Sequence, residues 1–259
     1  LILKLKSNTE NFDIKVCVTG QHRQMLDQVL NIFGILPDID FNLMKIGQDL
    51  FDVTINVLKN VKKTLEKNNP DIVLVHGDTN TAMASSLAAF YQKIPIGHVE
   101  AGLRTYNKYS PFPEEFNRRA IALNAEYHYA PTLMARNNLL KEGIDKKNII
   151  LTGNTVIDAL KITRDSILSD QNKFLSLKKR FLNLFRFDVT KEKFILITAH
   201  RRENYSGIKD ICMSISELAS NNPKVRFIFP VHLNPKIKDI VYKSLSNLKN
   251  VFLLAPLAY

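Results

Sequence analysis

What most constrains the fold of this chain is an alternation of two periodicities. Short apolar runs of strand type, stopped by Gly, Asn, Asp or Pro, are each followed by longer segments whose apolar residues recur every three or four positions. The runs 14–18 (IKVCV), 71–75 (DIVLV), 94–99 (IPIGHV), 126–130 (EYHYA) and 148–151 (NIIL) read as strands. Helical spacing fills the intervals 21–33, 48–67, 79–91, 113–125 and 132–141, and again runs from about Thr155 to Leu168; in 48–67 it passes through Leu50, Val53, Val57, Val61 and Leu65. Strands alternating with helices in this way predict an α/β fold with a parallel, doubly wound sheet. The stretch 38–47 reads as a loop, and 101–113, which has no period but carries Gly, Asn, Ser and two prolines, reads as an ordered loop of the kind that bears function.

From Asp170 to Lys193 the composition turns basic and the pattern fades. The alternation then restarts, with strand runs 194–198, 225–231 and 251–254 and helices from about Ile208 and from Pro235. Three domain-level segments follow: a domain over 1–170, a basic linker over 171–193 and a partial second domain over 194–259.

A chain of 259 residues with 45% hydrophobic content can bury a sizeable core. Its apolar runs are strand-sized, well short of the roughly 20 residues that span a bilayer, so the expectation is a soluble cytoplasmic protein without a membrane role. Cys17 and Cys212 stand singly and far apart, which argues against disulfides and structural zinc. The formal charge of +11 invites polyanions, but the lysines are spread over helix faces and loops, so nucleic acid is not the expected partner.

Chemistry concentrates between Val75 and Arg119. In an open α/β sheet the ligand crevice lies beyond the carboxyl ends of the strands, and Asp78 and Glu100 both stand there. Each has a bland alternative. Asp78 could cap the following helix by accepting from the amides of Asn80 or Thr81. Glu100 could pair with Arg104, and Glu114 and Glu115, just behind Pro113, could serve only to complement a helix dipole. Jointly, carboxylates converging on one crevice suit proton chemistry, in which one group removes a proton while another supplies one. His76 and His98 each lie two residues from a carboxylate, but alternate side chains of a strand point apart, which disfavours a metal site.

A second set follows the later strands. His200, Arg201, Arg202, Glu203 and Asn204 read either as a basic surface turn or as an anion site, since arginine presents a planar fork to phosphate. His232 and Asn234 repeat that location one strand later. Neither the dinucleotide GxGxxG pattern nor the P-loop pattern occurs.

Six ordered motifs, HGDTNT (76–81), GHVEAGLRT (97–105), SPFPEEFNR (110–118), TGNTVIDAL (152–160), AHRREN (199–204) and PVHLNP (230–235), resemble the non-hydrolysing UDP-N-acetylglucosamine 2-epimerase family. The resemblance implies two Rossmann-like domains facing a cleft, as in GT-B glycosyltransferases, and interconversion of UDP-GlcNAc with UDP-ManNAc without NAD or metal. It implies Asp78, Glu100 and Glu114 as acid and base, His200 near the diphosphate, and substrate contacts from Arg104, Arg118, Arg201, Asn204, His232 and Asn234. It further implies a second UDP-GlcNAc as activator near Gln21, Gln24 and Gln48, and a homodimer. Members of that family begin with a further strand and a Gly-Thr-Arg-Pro-Glu loop and continue past 256–259, so this chain resembles a form truncated at both ends and is expected to be inactive alone. The alternatives are a hydrolysing epimerase that releases ManNAc and an inactive ligand-binding remnant.

Overall fold

In the computed structural model, which describes residues 1–20, 23–43, 47–199 and 207–257 apart from the side chain of residue 24, a short helix α1 (Ile2–Lys6) precedes strand β1 (Cys17–Val18). Helix α2 (Arg23–Ile32) leads to β2 (Ile39–Asp40), which pairs in parallel with β1 through Cys17 opposite Ile39 and Val18 opposite Asp40. The stretch expected as a loop over 38–47 therefore contains a strand, and the first run hydrogen-bonds to it rather than to the larger sheet. A strand of two residues is too short to carry a period.

Helix α3 (Leu50–Asn68) starts on a reciprocal cap: the Asp49 carboxylate accepts from the Asp52 amide at 2.8 Å, and that of Asp52 accepts from the Asp49 amide at 3.3 Å. Its buried stripe, Val53, Val57, Val61 and Leu65, packs with Ala84, Ala88 and Ala89 of a later helix and with Val75 and Ile96 from the sheet. Small alanines let the two helix backbones approach closely, and each buried valine or leucine contributes about 1.5–3 kcal/mol.

The sheet of this first unit is β3 (Val73–His76), β4 (Ile96–Val99), β5 (Tyr127–Ala130) and β6 (Ile149–Leu151), all parallel and in that spatial order. Helices α4 (Asn80–Tyr91), α5 (Glu114–Asn124) and α6 (Leu133–Lys141) make the crossovers, and α7 (Thr155–Ser169) follows β6. Strand β4 is buried throughout, and a Cβ on its Gly97 would lie 2.6 Å from Leu74 Cδ2 and 3.0 Å from Tyr129 Cε2, so only glycine lets its neighbours close over it. The register sets His76 beside Val99, Val99 beside Tyr129, and Ala130 beside Leu151. Every loop that leaves a strand end therefore emerges along one edge.

The chain divides into two compact units, Leu1–Lys161 and Ile162–Tyr259. In the second, β7 (Phe194–Leu196), β8 (Arg226–Pro230) and β9 (Val251–Leu254) form a parallel sheet in that order, with α9 (Ile208–Asn221) and α10 (Pro235–Leu245) between them. Their core joins Ile208, Cys212 and Ile215 to Phe227, Phe229, Val241 and Leu245. The segment 171–193, expected as a linker, instead contains the fifteen-residue helix α8 (Gln171–Phe185), capped by Asp170 accepting from the Lys173 amide at 3.0 Å. Phe181, Phe185, Phe187 and Phe252 form a chain of rings with successive centroids 5.5, 5.8 and 5.1 Å apart, so this segment is core material. The architecture is an α/β fold of Rossmann-like, parallel-sheet units.

Candidate active site

Asp78 stands two residues beyond β3, held by Gly77 in a turn of positive φ (73°). It is not the helix cap. Thr79 caps α4, its hydroxyl accepting from the Ala82 amide at 3.2 Å, which leaves the neighbouring Asp78 carboxylate for other work. That carboxylate meets Arg118, whose Nε and Nη2 reach Asp78 Oδ2 at 2.8 and 2.7 Å. Asn117 fixes the same turn from below, donating to the Asp78 carbonyl at 2.9 Å and to Asn80 Oδ1 at 2.8 Å.

Glu100 follows β4 directly and has φ of 67°, left-handed backbone that costs a non-glycine residue about 1–3 kcal/mol. The expected pairing with Arg104 is not made. Glu100 Oε2 accepts instead from His76 Nε2 at 3.2 Å, across the adjacent strand end. The His76 hydrogen bond holds the Glu100 carboxyl below the usual carboxylate range, opposed by partial burial and reinforced by the His76 charge, a hydrogen bond from Asn154 and the nearby Arg118 cation. Asn154 arrives from the loop after β6, so three strand ends contribute to one cluster. Glu100 reaches the turn that carries Asp78: a Cβ on Gly77 would lie 3.7 Å from Glu100 Oε2.

Arg104 belongs to a different layer. Its fully buried side chain forks onto Glu142 of α6's C-cap, Nε to Oε1 at 2.8 Å and Nη2 to Oε2 at 2.7 Å, and also donates to the Leu103 carbonyl at 2.8 Å. Arg104 thereby ties the 101–113 loop to α6. Gly102 brings the two together, at φ 86° and so close that a Cβ would fall 2.2 Å from the Ala135 carbonyl oxygen.

Of the adjacent glutamates, Glu114 is half-buried at the first position of α5, whereas Glu115 is fully buried. Glu115 accepts from the Thr105 amide at 3.0 Å, the Tyr106 amide at 3.0 Å and Arg118 Nη1 at 3.2 Å. Sequence reasoning assigned Glu115 only to the helix dipole, and it gave His76 and Asn154 no role beside Glu100. The spacing of three between Glu115 and Arg118 on one helix is the signal that points to their pairing.

Behind the cluster, His98 Nε2 donates to the Gly77 carbonyl at 2.8 Å, and burial pushes its imidazole down to about 4. Its register partner His128 is also buried and also held below the ordinary histidine range, chiefly by burial. Among the described residues no group of three or more His, Cys, Asp or Glu side chains is arranged to hold a metal ion.

In the second unit, Asn234 caps α10 by accepting from the Lys236 amide at 3.0 Å, and His232 Nδ1 accepts from the Asn234 amide at 3.0 Å. Gln48 is half-buried beside Thr19, Leu43, Val53 and Val57. His200, Arg201, Asn204 and Gln21 lie outside the described residues, as does the side chain of Gln24. Among the described residues no helix is long and apolar enough to cross a membrane.

A Rossmann-like α/β fold that sets two carboxylates at neighbouring strand ends, each with its own hydrogen-bonding partner, is an arrangement suited to proton transfer. Residues 4–259 match the family model described as UDP-N-acetylglucosamine 2-epimerase, and the chain belongs to that family. A relative from Clostridium acetobutylicum is 50% identical over 258 residues, 99% of this chain and 64% of its own length. The UDP-N-acetylglucosamine 2-epimerase of Neisseria meningitidis is 50% identical over 261 residues, covering 100% of this chain and 68% of that protein. A crystal structure of the UDP-GlcNAc 2-epimerase from Neisseria meningitidis bound to UDP-GlcNAc superposes with a TM-score of 0.88 at 49% identity, again over 100% of this chain and 68% of that one. The chain thus spans about two thirds of the length of the relatives it matches.

Proposed function

We propose that this protein interconverts UDP-GlcNAc and UDP-ManNAc by inverting C2 of the sugar. The observation that carries the reading is the Asp78 and Glu100 pair on adjacent strand ends, with Arg118 and His76 as partners. The neisserial structure with bound UDP-GlcNAc supports this substrate. A carboxylate takes the C2 proton while the C1–O bond breaks and UDP leaves with the electron pair, giving 2-acetamidoglucal. A second group then protonates C2 from the opposite face as the UDP oxygen returns to C1. Atoms and electrons balance, so this route requires no external oxidant or reductant. Asp78, Glu100 and Glu114 act as acid and base, with Glu100 held ionised by His76. Nucleotide binding is assigned to His200, Arg201, Asn204, His232 and Asn234; Arg118 serves the substrate through Asp78. Gln21, Gln24 and Gln48 receive a second UDP-GlcNAc as activator, and the working form is a cytoplasmic homodimer.

Solvent exchange tests the proposal. The full-length protein, incubated with UDP-GlcNAc in heavy water, should place deuterium at C2 with UDP still attached. Free deuterated ManNAc would mean a hydrolysing enzyme, and no exchange would mean a ligand-binding protein without this activity.

A further inference from the structure

Glu115 is fully buried, and burying a carboxylate is costly unless donors surround it. A glutamate that only complemented the α5 dipole would do so from the surface, as the half-buried Glu114 can. Glu115 instead gathers donors from two directions. The Thr105 and Tyr106 amides belong to the loop that leaves Glu100, and Arg118 Nη1 belongs to the next turn of its own helix. Arg118 therefore has one face on Glu115, while Nε and Nη2 are both committed to Asp78 Oδ2. Its side chain is largely buried, at 14% exposure, so it has little room to reorient.

We infer that Glu115 is a positioning residue for the proposed C2 chemistry: through Arg118 it fixes the Asp78 carboxylate, and through the 105–106 amides it fixes the loop that follows Glu100. One buried carboxylate thereby sets two acid/base groups on different strands in a common frame. The inference rests on the epimerase reading for its chemistry, but its geometry stands on the contacts of Glu115 with Arg118 and the 105–106 amides and of Arg118 with Asp78. Only a carboxylate has enough acceptor sites for all three donors at once; the amide of glutamine offers one oxygen and turns two N–H groups toward the rest.

The test is a cycle in the full-length protein. Glu115→Gln should lower kcat by about 10- to 100-fold, with KM held within about threefold, because it displaces reacting groups without removing substrate contacts. Glu115→Asp, which keeps the charge and both oxygens, should recover part of that loss. On an Arg118→Lys background, which lacks the planar fork, Glu115→Gln should cost far less than it does in the wild type. Losses that multiply in full across the two variants would overturn the inference, since a purely structural role is independent of the fork. If the glutamine variant does not fold, the same cycle is run with Glu115→Asp. A crystal structure of the folded variant separates this inference from the epimerase reading: Arg118 should leave Asp78, and an unchanged Asp78–Arg118 contact would refute the inference whatever the turnover. A wild-type protein that shows no C2 exchange would refute the epimerase reading and leave that structural criterion in force.

Discussion

The guanidinium of Arg118 meets a single oxygen of Asp78 through two nitrogens, Nε at 2.8 Å and Nη2 at 2.7 Å, while its third nitrogen rests on buried Glu115. Lysine carries the charge but has one nitrogen where this arrangement uses three. Arg118→Lys should lower kcat by about 10- to 100-fold and leave the fold intact, as read by initial rates beside circular dichroism. Rates within about twofold of wild type would show that the fork is dispensable.

His98 links stability to pH. Its imidazole is pushed down to about 4 in the folded protein, against an ordinary value of 6.5, by burial with His128 and Arg104 nearby. Between those values the unfolded chain binds a proton that the folded chain refuses, so stability is fully present above about pH 6.5 and is lost as the pH falls toward 4. Denaturant titrations across that window should show the loss. His98→Gln can keep a donor for the Gly77 carbonyl and should flatten the slope; an unchanged slope would assign the acid sensitivity elsewhere.

Gly102 is a packing constraint as well as a turn. Alanine there would place its Cβ 2.2 Å from a backbone oxygen on left-handed backbone, so something must shift. Gly102→Ala should destabilise the protein by about 2 kcal/mol or more, read by thermal or chemical unfolding, and should disturb Glu100 through the shared loop.

Phe187 separates a core role for the 171–193 segment from a linker role. It is 3% exposed, between Phe185 and Phe252. Phe187→Ala should cost about 3–5 kcal/mol, whereas a linker residue would cost almost nothing, and unfolding monitored in the second unit distinguishes the two.

The strand ends were legible because an apolar run stopped by Gly-Asp or followed by Glu-Ala-Gly carries both the period and its interruption. What surrounds the carboxylates was not. Asp78 and Thr79 are equally good helix caps on paper, and only the one-residue placement of the helix start gives the cap to Thr79 and leaves Asp78 to Arg118. Glu114 and Glu115 are chemically identical neighbours, yet the turn of a helix aims them apart, and packing buries one of them. Arg104 was placed near Glu100 by its motif; its fork found Glu142, distant in sequence, which no local pattern encodes. Helix α8 was hidden because its lysines dominated the composition while its aromatic stripe, Phe174, Phe181 and Phe185, was spread between them.

The central claim is that Asp78 and Glu100 exchange the proton at C2. Deuterium incorporation from heavy water into UDP-GlcNAc, followed by NMR for the full-length wild type and for Asp78→Asn and Glu100→Gln, tests it most directly. The wild type should exchange at C2, and each variant should lose at least about 100-fold of that rate while still binding UDP-GlcNAc. Full exchange in either variant would contradict the assignment.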